Sequence, residues 1–256
     1  ATGDFNEDGN PDFVATGYGS NTVSVRLGDG SGGFGTATGF GVGSSPYSVA
    51  VGDFNGDNHL DLVAGNVSSY DIAVLLGDGT GGFGLATYYG SGLESNTLTL
   101  GDFNGDGVPD LAVTNISADT VSLLLGDGVG GFSSPTGFPV GDFPVTPSVG
   151  DFNGDNNLDL VVPNANSDDI SVLLGDGSGG FTTTTNFGVG LAPNSVAVAD
   201  LDADGILDLA VANANSNNVS VLLGDGLGGF NAPTDFPVGS APYSVAVGDF
   251  NGDSLA

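Results

Sequence analysis

A repeat of 49 residues constrains the fold of this chain more than any other feature of its sequence. Each copy begins with Gly-Asp-Phe-Asn, or once with Ala-Asp-Leu-Asp, and the first Asp recurs at Asp4, Asp53, Asp102, Asp151, Asp200 and Asp249. A second string, Gly-Asp-Gly-x-Gly-Gly-Phe, keeps the same spacing, with its Asp at Asp29, Asp78, Asp127, Asp176 and Asp225. Such a strict period indicates one supersecondary unit copied along the chain. We predict a single repeat domain over 1–256 with units at 4–52, 53–101, 102–150, 151–199 and 200–248, and a partial sixth copy at 249–256.

The second repeat shows how each unit divides into strands. Apolar and small residues alternate over 48–51, which predicts a strand with one face directed inward. Further strands are predicted at 60–64, at 72–76 and, more weakly, at 83–89. The segment 72–76 is apolar nearly throughout, which is typical of a strand covered on both faces. The Gly-Asp-Gly segment after it has the composition of a tight turn, with a second acidic ligand set as the alternative interpretation.

Four short strands in each repeat predict an all-β fold, a β-propeller of four-stranded blades. A twisted four-stranded sheet buries its faces only against neighbouring sheets, and a period of about 40 to 50 residues is typical of a propeller blade. A β-sandwich needs no such period, and the coils of a β-solenoid are usually shorter. The five repeats predict either a five-bladed ring or part of a larger propeller or array. Pro147 fits a channel-lining first strand, because one edge of that strand is unpaired.

A nine-residue acidic loop follows the first strand of each repeat. Side-chain oxygens occupy loop positions 1, 3, 5 and 9, and Gly or Asn at position 6 tolerates the left-handed backbone of a tight loop. The backbone carbonyl of position 7 can add a further oxygen. The candidate metal ligands at positions 1, 3, 5, 7 and 9 are Asp4, Asn6, Asp8, Asn10 and Asp12 in the first repeat, Asp53, Asn55, Asp57, His59 and Asp61 in the second, Asp102, Asn104, Asp106, Val108 and Asp110 in the third, Asp151, Asn153, Asp155, Asn157 and Asp159 in the fourth, and Asp200, Asp202, Asp204, Ile206 and Asp208 in the fifth.

The donor atoms of these loops favour Ca²⁺. Hard cations take about six to eight oxygen ligands, and flexible Asp and Asn coordination favours Ca²⁺ over Mg²⁺. The absence of sulfur and of a dedicated imidazole disfavours zinc and copper. Metal-free Asx-turns are the alternative, but two carboxylates about 4 Å apart repel by roughly 4 kcal/mol at an effective dielectric of about 20. We therefore predict about five Ca²⁺ ions, one in each repeat.

The charge and composition of the chain exclude several classes of function. The chain carries 31 acidic residues against a single Lys or Arg, which gives a formal net charge of −30. That field repels nucleic acids and anionic membranes, and the sequence has no run of about 20 apolar residues for membrane insertion. With no Cys and one His, the usual nucleophile and base constellations cannot be assembled, so we predict that the protein is not an enzyme.

Together these motifs resemble the FG-GAP (VCBS-type) repeats of bacterial surface proteins. The resemblance rests on the acidic loop between a Val-rich strand and a Leu-Asp-Leu-Ala-Val strand, followed by Val-Ser-Val-Leu-Leu-Gly-Asp-Gly and Gly-Gly-Phe. Such repeats are similar to the Ca²⁺-binding blades of the integrin α-subunit propeller. The resemblance implies a secreted, extracellular or cell-surface propeller with Ca²⁺ in each blade, used in adhesion, as a lectin or as an accessory domain.

The two ends of the chain allow three interpretations of ring closure. Residues 243–248 repeat a first strand, whereas the chain begins at an acidic loop without such a strand. The strand 243–248 then completes the first blade, or pairs with another chain, or the sequence is a window from a longer array. If the ring closes, the partial loop with Asp249, Asn251 and Asp253 competes with the first loop for one place.

We expect a calcium-binding extracellular or cell-surface module with a structural or adhesive function in protein interaction. The expected partner is a protein or a glycan at a surface, with self-assembly through the C-terminal strand as a further option. A carbohydrate-binding lectin is the alternative function. Repeated sugar sites lack an obvious aromatic platform, because the chain has no Trp and its six Tyr residues do not recur in each repeat.

Overall fold

The computed structural model describes residues 1–92 and 95–250, and within them it consists of β-strands and one turn of 3₁₀-helix at Ile116–Ala118. Five sheets follow one another along the chain, and the first strand of each lies directly before the acidic loop that opens a repeat. The strands are β1 (Thr2–Gly3), β2 (Asp12–Gly17), β3 (Thr22–Arg26) and β4 (Thr38–Gly41) in the first sheet; β5 (Pro46–Gly52), β6 (Asp61–Asn66), β7 (Asp71–Leu75) and β8 (Thr87–Gly90) in the second; β9 (Ser95–Gly101), β10 (Asp110–Asn115), β11 (Thr120–Leu124) and β12 (Thr136–Pro139) in the third; β13 (Ser148–Gly150), β14 (Asp159–Asn164), β15 (Asp169–Gly175) and β16 (Phe181–Gly188) in the fourth; and β17 (Pro193–Ala199), β18 (Asp208–Asn213), β19 (Asn218–Leu222) and β20 (Thr234–Pro237) in the fifth.

Each sheet is a four-stranded antiparallel meander whose strands pair in chain order. In the second sheet, Val63 of β6 lies opposite Ala50 of β5 on one side and Val74 of β7 on the other. The match between five sheets and five repeats confirms the predicted all-β fold of four-stranded, propeller-type blades.

Backbone contacts divide the chain into two compact units. The first comprises Ala1–Asp102, Asp106–Ala118 and Ser122–Gly137, and the second comprises Phe103–Gly105, Asp119–Val121 and Phe138–Ala256. The single repeat domain over 1–256 stays a prediction. In the described parts of the chain, no helix has the length and apolar character that crossing a membrane requires.

The central strands of the second sheet are buried on both faces, as the apolar segment at 72–76 predicts. Leu62 of β6 packs in a cluster with Val14, whereas the adjacent Val63 packs in a different cluster with Leu111. Successive side chains of a strand point to opposite faces, so one strand contributes to two apolar cores. A sheet of this kind depends on a neighbour at each face for its stability.

The fourth strand of the second sheet differs most from the sequence-based prediction. In the second sheet, β8 begins at Thr87, and the predicted strand at 83–89 is wrong in its first part. Phe83 forms an isolated bridge with Gly77, and the Gly84 N–H donates to the Leu76 carbonyl at 2.8 Å. These contacts hold the chain against its own turn before it joins the sheet.

Pro147 shortens the first strand of the fourth sheet. β13 has three residues and begins directly after this proline, whereas β5 and β17 have seven residues each. Proline has no N–H to donate to a ladder. Upstream, Pro144 forms an isolated bridge with Asn164, so the segment stays beside β14 without being part of a regular strand.

Both ends of the described chain correct the sequence-based prediction. The first sheet has its own first strand, because Thr2 pairs with Phe13 and Gly3 pairs with Asp12. Residues 243–248 form no strand, and the Val245 N–H donates to the Ser195 hydroxyl at 3.4 Å. The prediction that 243–248 completes the first blade is therefore wrong. In the partial loop, Asn251 and Asp253 lie outside the described residues.

Candidate metal centre

The acidic loop of the second repeat is folded around the carboxylate at position 1. The Asp53 Oδ1 accepts the Gly56 N–H at 2.8 Å, and its Oδ2 accepts the Asn58 N–H at 2.8 Å. The loop therefore curls back on its first residue, which brings positions 1, 3 and 5 to one side. The other four loops repeat this arrangement, with the N–H of position 6 donating to the first Asp in each.

Left-handed backbone at two positions makes this curl possible. At position 6 the φ angle is +67° for Asn58 and +83° for Gly9, which confirms the predicted role of that position. Position 4 has the same conformation, with φ of +75° at Gly56, +59° at Glu7 and +64° at Ala203. Sequence reasoning missed position 4, because Glu and Ala are not residues that signal positive φ.

The carboxylate at position 5 is held by the backbone of position 7. The Asp57 Oδ1 accepts the His59 N–H at 2.8 Å, and its Oδ2 accepts the Asn55 side-chain N–H at 2.9 Å. These two hydrogen bonds, first that from His59 and then that from Asn55, lower the pKa of Asp57. The pKa values of Asp8 and Asp155 are lowered in the same way, first by the backbone N–H two residues later. The lowered pKa values favour the ionised form of all three carboxylates.

The carboxylate at position 9 is the most buried part of each loop. Asp61 is fully buried, and its Oδ2 accepts the Phe54 N–H at 2.9 Å while its Oδ1 accepts the Gly77 N–H at 2.7 Å. Burial raises the pKa of Asp61 above its ordinary value, and it does the same for Asp159. This aspartate therefore ties the acidic loop to the Gly-Asp-Gly turn of the same repeat.

Sequence reasoning predicted position 9 only as a metal ligand and missed this second role. The sequence carries no signal for it, because every interval within a strict 49-residue repeat is constant. The five bonds of this kind each span 16 residues.

The fifth loop brings three carboxylates together most closely. Oxygens of Asp200, Asp202 and Asp208 all lie within 4.8 Å of one another. Partial desolvation, followed by repulsion from Asp204, raises the pKa of Asp202. Ligand oxygens lie about 2.3–2.6 Å from a bound Ca²⁺, so two of them on one ion are at most about 5 Å apart. The spacing and the all-oxygen donor set therefore fit a hard divalent cation.

The other predicted ligands lie in loops of the same geometry, where position 3 is Asn instead of Asp. Asn6, Asn55 and Asn153 each donate a side-chain N–H to the carboxylate two residues later. At position 7, His59 points away from the loop and pairs with Glu7 of the first loop. That pairing raises the pKa of His59 above its usual value. Metal ligation by the residues of all five loops stays a prediction.

The Gly-Asp-Gly series forms turns. The Asp29 Oδ1 accepts the Ser31 N–H at 2.8 Å and the Gly33 N–H at 2.9 Å, and the Asp29 N–H donates to the Gly33 carbonyl. The backbone hydrogen bond from Ser31 is the main reason that the pKa of Asp29 is lowered. One carboxylate oxygen is thus occupied by its own turn, which supports the turn interpretation over a second ligand set.

Comparison with known families gives a match along almost the entire chain. The FG-GAP-like repeat model matches residues 4–64, 53–113, 102–162, 157–211 and 200–256. A comparison with curated proteins found no match.

Solved structures with a similar fold include proteins of several kinds. A lectin from Agrocybe aegerita that recognises non-reducing terminal N-acetylglucosamine has a TM-score of 0.63 at 20% identity, and the match covers 91% of this chain and 64% of the lectin. A catalytically inactive virginiamycin B lyase from Staphylococcus aureus has a TM-score of 0.62 at 17% identity, covering 91% and 68%. The V. cholerae biofilm matrix protein Bap1 has a TM-score of 0.57 at 18% identity, covering 93% and 39%. At these identities the likeness shows the fold, and the chain spans less than two thirds of the lectin.

Proposed function

This chain belongs to the FG-GAP-like repeat family, and on that premise we propose that it is a calcium-binding β-propeller module of the cell exterior with a structural or adhesive function. One observation carries the proposal. Carboxylate oxygens of Asp200, Asp202 and Asp208 lie within 4.8 Å of one another, in a loop whose geometry recurs in each of the five repeats.

The residues that would hold Ca²⁺ are those at positions 1, 3, 5 and 9, with the backbone carbonyl of position 7. A bound ion supplies positive charge where three anionic side chains converge and cross-links the two ends of the loop. Five ions together carry ten positive charges, which would offset a third of the formal net charge of −30. The ion therefore acts on stability and rigidity, while partner binding is left to the surfaces of the blades.

The affinity expected of these loops suits an extracellular location. The loops are exposed at positions 4 to 6, so water can complete the coordination of such a site. Extracellular modules of this kind bind Ca²⁺ with dissociation constants of about 0.1 to 1 mM. Sites of that affinity would be filled at the calcium level outside cells, which is consistent with the proposed location.

Calorimetry combined with thermal unfolding tests the proposal. We expect about five Ca²⁺ ions per chain, each stabilising the fold by about 2.7 kcal/mol at a hundredfold excess over its dissociation constant. Excess chelator should then lower the melting temperature by many degrees. Titration with Mg²⁺ is the control and should stabilise less. A melting curve that chelator leaves unchanged would contradict calcium binding.

Carbohydrate binding is a second candidate function, favoured by one feature of the first unit. A groove of about 480 Å³ is lined by Phe40, Phe83, Leu85 and Tyr88, and the Tyr88 ring is half exposed beside it. An exposed aromatic ring can stack on the apolar face of a sugar. A glycan array in Ca²⁺, repeated with Tyr88→Ala, tests this candidate. Loss of a saturable glycan signal in the variant would favour it over the structural function.

A further inference from the structure

The first four acidic loops are each contacted at loop position 2 by a turn of the following repeat. In the second loop that residue is Phe54, which lies between the candidate ligands Asp53 and Asn55. Its carbonyl accepts the Gly130 N–H at 2.9 Å, and its ring meets Phe132 edge-on with centroids 5.6 Å apart. Both partners belong to the Gly-Asp-Gly-x-Gly-Gly-Phe turn of the third repeat. A loop of one repeat is thereby fixed by a turn of the next.

The same hydrogen bond and ring contact recur at the other described junctions between consecutive repeats. The ring centroids there are 5.7, 5.8 and 5.6 Å apart, again edge-on. The glycine N–H groups donate to the position 2 carbonyls at 2.8, 3.2 and 3.0 Å in the pairs Gly81 to Phe5, Gly179 to Phe103, and Gly228 to Phe152.

A Cβ added at two glycines of the turn would meet side chains of different repeats. Gly130 has φ of +89°, and a Cβ there would lie 2.9 Å from the Leu76 side chain of the preceding repeat. Gly128 has φ of +71°, but a Cβ there would lie 3.3 Å from Val108 of its own repeat. An Ala at either position adopts a similarly strained backbone. Only the Ala at position 130 would place its methyl group against the preceding repeat, where the turn packs.

We propose that the turn of the following repeat completes the acidic loop at these four junctions, so that Ca²⁺ binding in the second loop and packing of the third-repeat turn against Phe54 stabilise each other. The inference rests on the proposed calcium binding. A bound ion fixes Asp53 and Asn55 on either side of Phe54, and the turn fixes Phe54 itself. Coupling of this kind is reciprocal, since each event favours the backbone arrangement that the other requires. Gly130 is a positioning residue, because it acts on the ligands through Phe54.

A calcium titration followed by amide NMR separates the two loops. Gly56 and Gly154 stand at position 4 of the second and fourth loops, and each donates its N–H to the first Asp, at 2.8 and 2.7 Å. In Gly130→Ala we expect the calcium midpoint reported by Gly56 to rise about tenfold, with the Gly154 midpoint within about twofold of wild type. The matched variant Gly128→Ala should leave the Gly56 midpoint unchanged.

The outcomes distinguish this inference from the proposed function. Equal Gly56 midpoints in wild type and Gly130→Ala, or an equal rise in Gly128→Ala, would overturn the coupling while calcium binding stands. Wild-type spectra that do not respond to Ca²⁺ would overturn both.

Hydrogen exchange of the wild-type protein keeps the inference testable if Gly130→Ala does not fold. We expect Ca²⁺ to slow exchange of the Gly130 amide at least about fivefold. The Asp127 amide, which donates to the Gly131 carbonyl within the same turn at 3.0 Å, is the control and should change little. Equal slowing of both amides, or no slowing at Gly130, would overturn the coupling.

Discussion

Two segments with aspartate recur in every repeat, and they use this side chain in opposite ways. In the Gly-Asp-Gly turn, one exposed carboxylate accepts N–H groups of its own turn, as Asp176 does from Ser178 at 2.8 Å and Gly180 at 3.0 Å. In the acidic loop, several carboxylates are drawn together, and one of them, Asp159, is fully buried. The turn therefore stabilises itself, whereas the loop gathers more negative charge than its own N–H groups neutralise.

The pKa shifts follow this difference. Hydrogen bonds from Ser178, first from its backbone N–H, lower the pKa of Asp176. Burial raises the pKa of Asp159 despite hydrogen bonds from Gly175 and Phe152. The number of aspartates in a segment does not by itself identify a cation site. The number of carboxylates relative to the N–H groups that can donate to them is more informative.

The largest expected effect is the loss of folding stability when the buried aspartate at position 9 is removed, measured in the absence of metal. Asp159→Ala removes the acceptor of the Phe152 and Gly175 N–H groups, both at 2.8 Å. Each unpaired buried N–H costs about 1–3 kcal/mol, so we expect a loss of about 2–5 kcal/mol in the free energy of unfolding. Urea unfolding in chelator measures it. A loss below about 1 kcal/mol would show that water replaces the carboxylate.

A smaller effect, on calcium affinity, is expected when the aspartate at position 9 is replaced by asparagine, which has a similar size. In Asp110→Asn the third loop loses one charged ligand, and calcium affinity follows ligand charge. We expect the third site to weaken about tenfold or more, while the other four stay loaded. Calorimetric stoichiometry should fall from about five ions to four at moderate Ca²⁺. Unchanged stoichiometry and affinity would limit position 9 to its structural role.

The turn acid should matter less and independently of Ca²⁺. In Asp176→Ala the lost hydrogen bonds are exposed, and water can replace them. We expect the free energy of unfolding to fall by about 0.5–1.5 kcal/mol, equally in Ca²⁺ and in chelator. A stability difference confined to the Ca²⁺-loaded protein would instead make the turn a second ligand set.

The smallest effect is the dependence of this turn on pH. The pKa of Asp176 is lowered from 3.8 in the folded protein, so its ionised form stabilises the fold. That stability is fully present above the unfolded pKa and is lost as pH falls through the folded pKa. The difference in unfolding free energy between wild type and Asp176→Asn, measured in chelator from about pH 5 to about pH 2, should shrink with acid. A constant difference would contradict the lowered pKa.

The sequence predicts the strands and the loop well where a pattern repeats. The apolar segment at 72–76 and the left-handed position 6 are both confirmed, because burial and positive φ restrict residue type strongly. The start of β8 and the first strand at Thr2–Gly3 could not be predicted in this way. Backbone hydrogen bonds decide both, and backbone groups are the same in every residue.

The two roles of position 9 show a second limit of sequence reasoning. A carboxylate that binds metal and one that accepts backbone N–H groups are the same residue type, and only burial and distance separate them. Fully buried Asp61 has both oxygens within 2.9 Å of N–H donors, a fact that no composition or spacing of acids specifies.

The bond from the closing aspartate to the Gly-Asp-Gly turn has a consequence for how the gene can change in length. Each such bond joins residues 16 apart inside one repeat. The hydrogen bond to a loop's position 2 carbonyl comes from the equivalent turn of the next repeat. An insertion or deletion of one complete 49-residue unit leaves every contact of both kinds with an equivalent partner. Recombination between copies can therefore lengthen or shorten the array in whole units, whereas a deletion of any other length in this segment removes a buried charge from its donors.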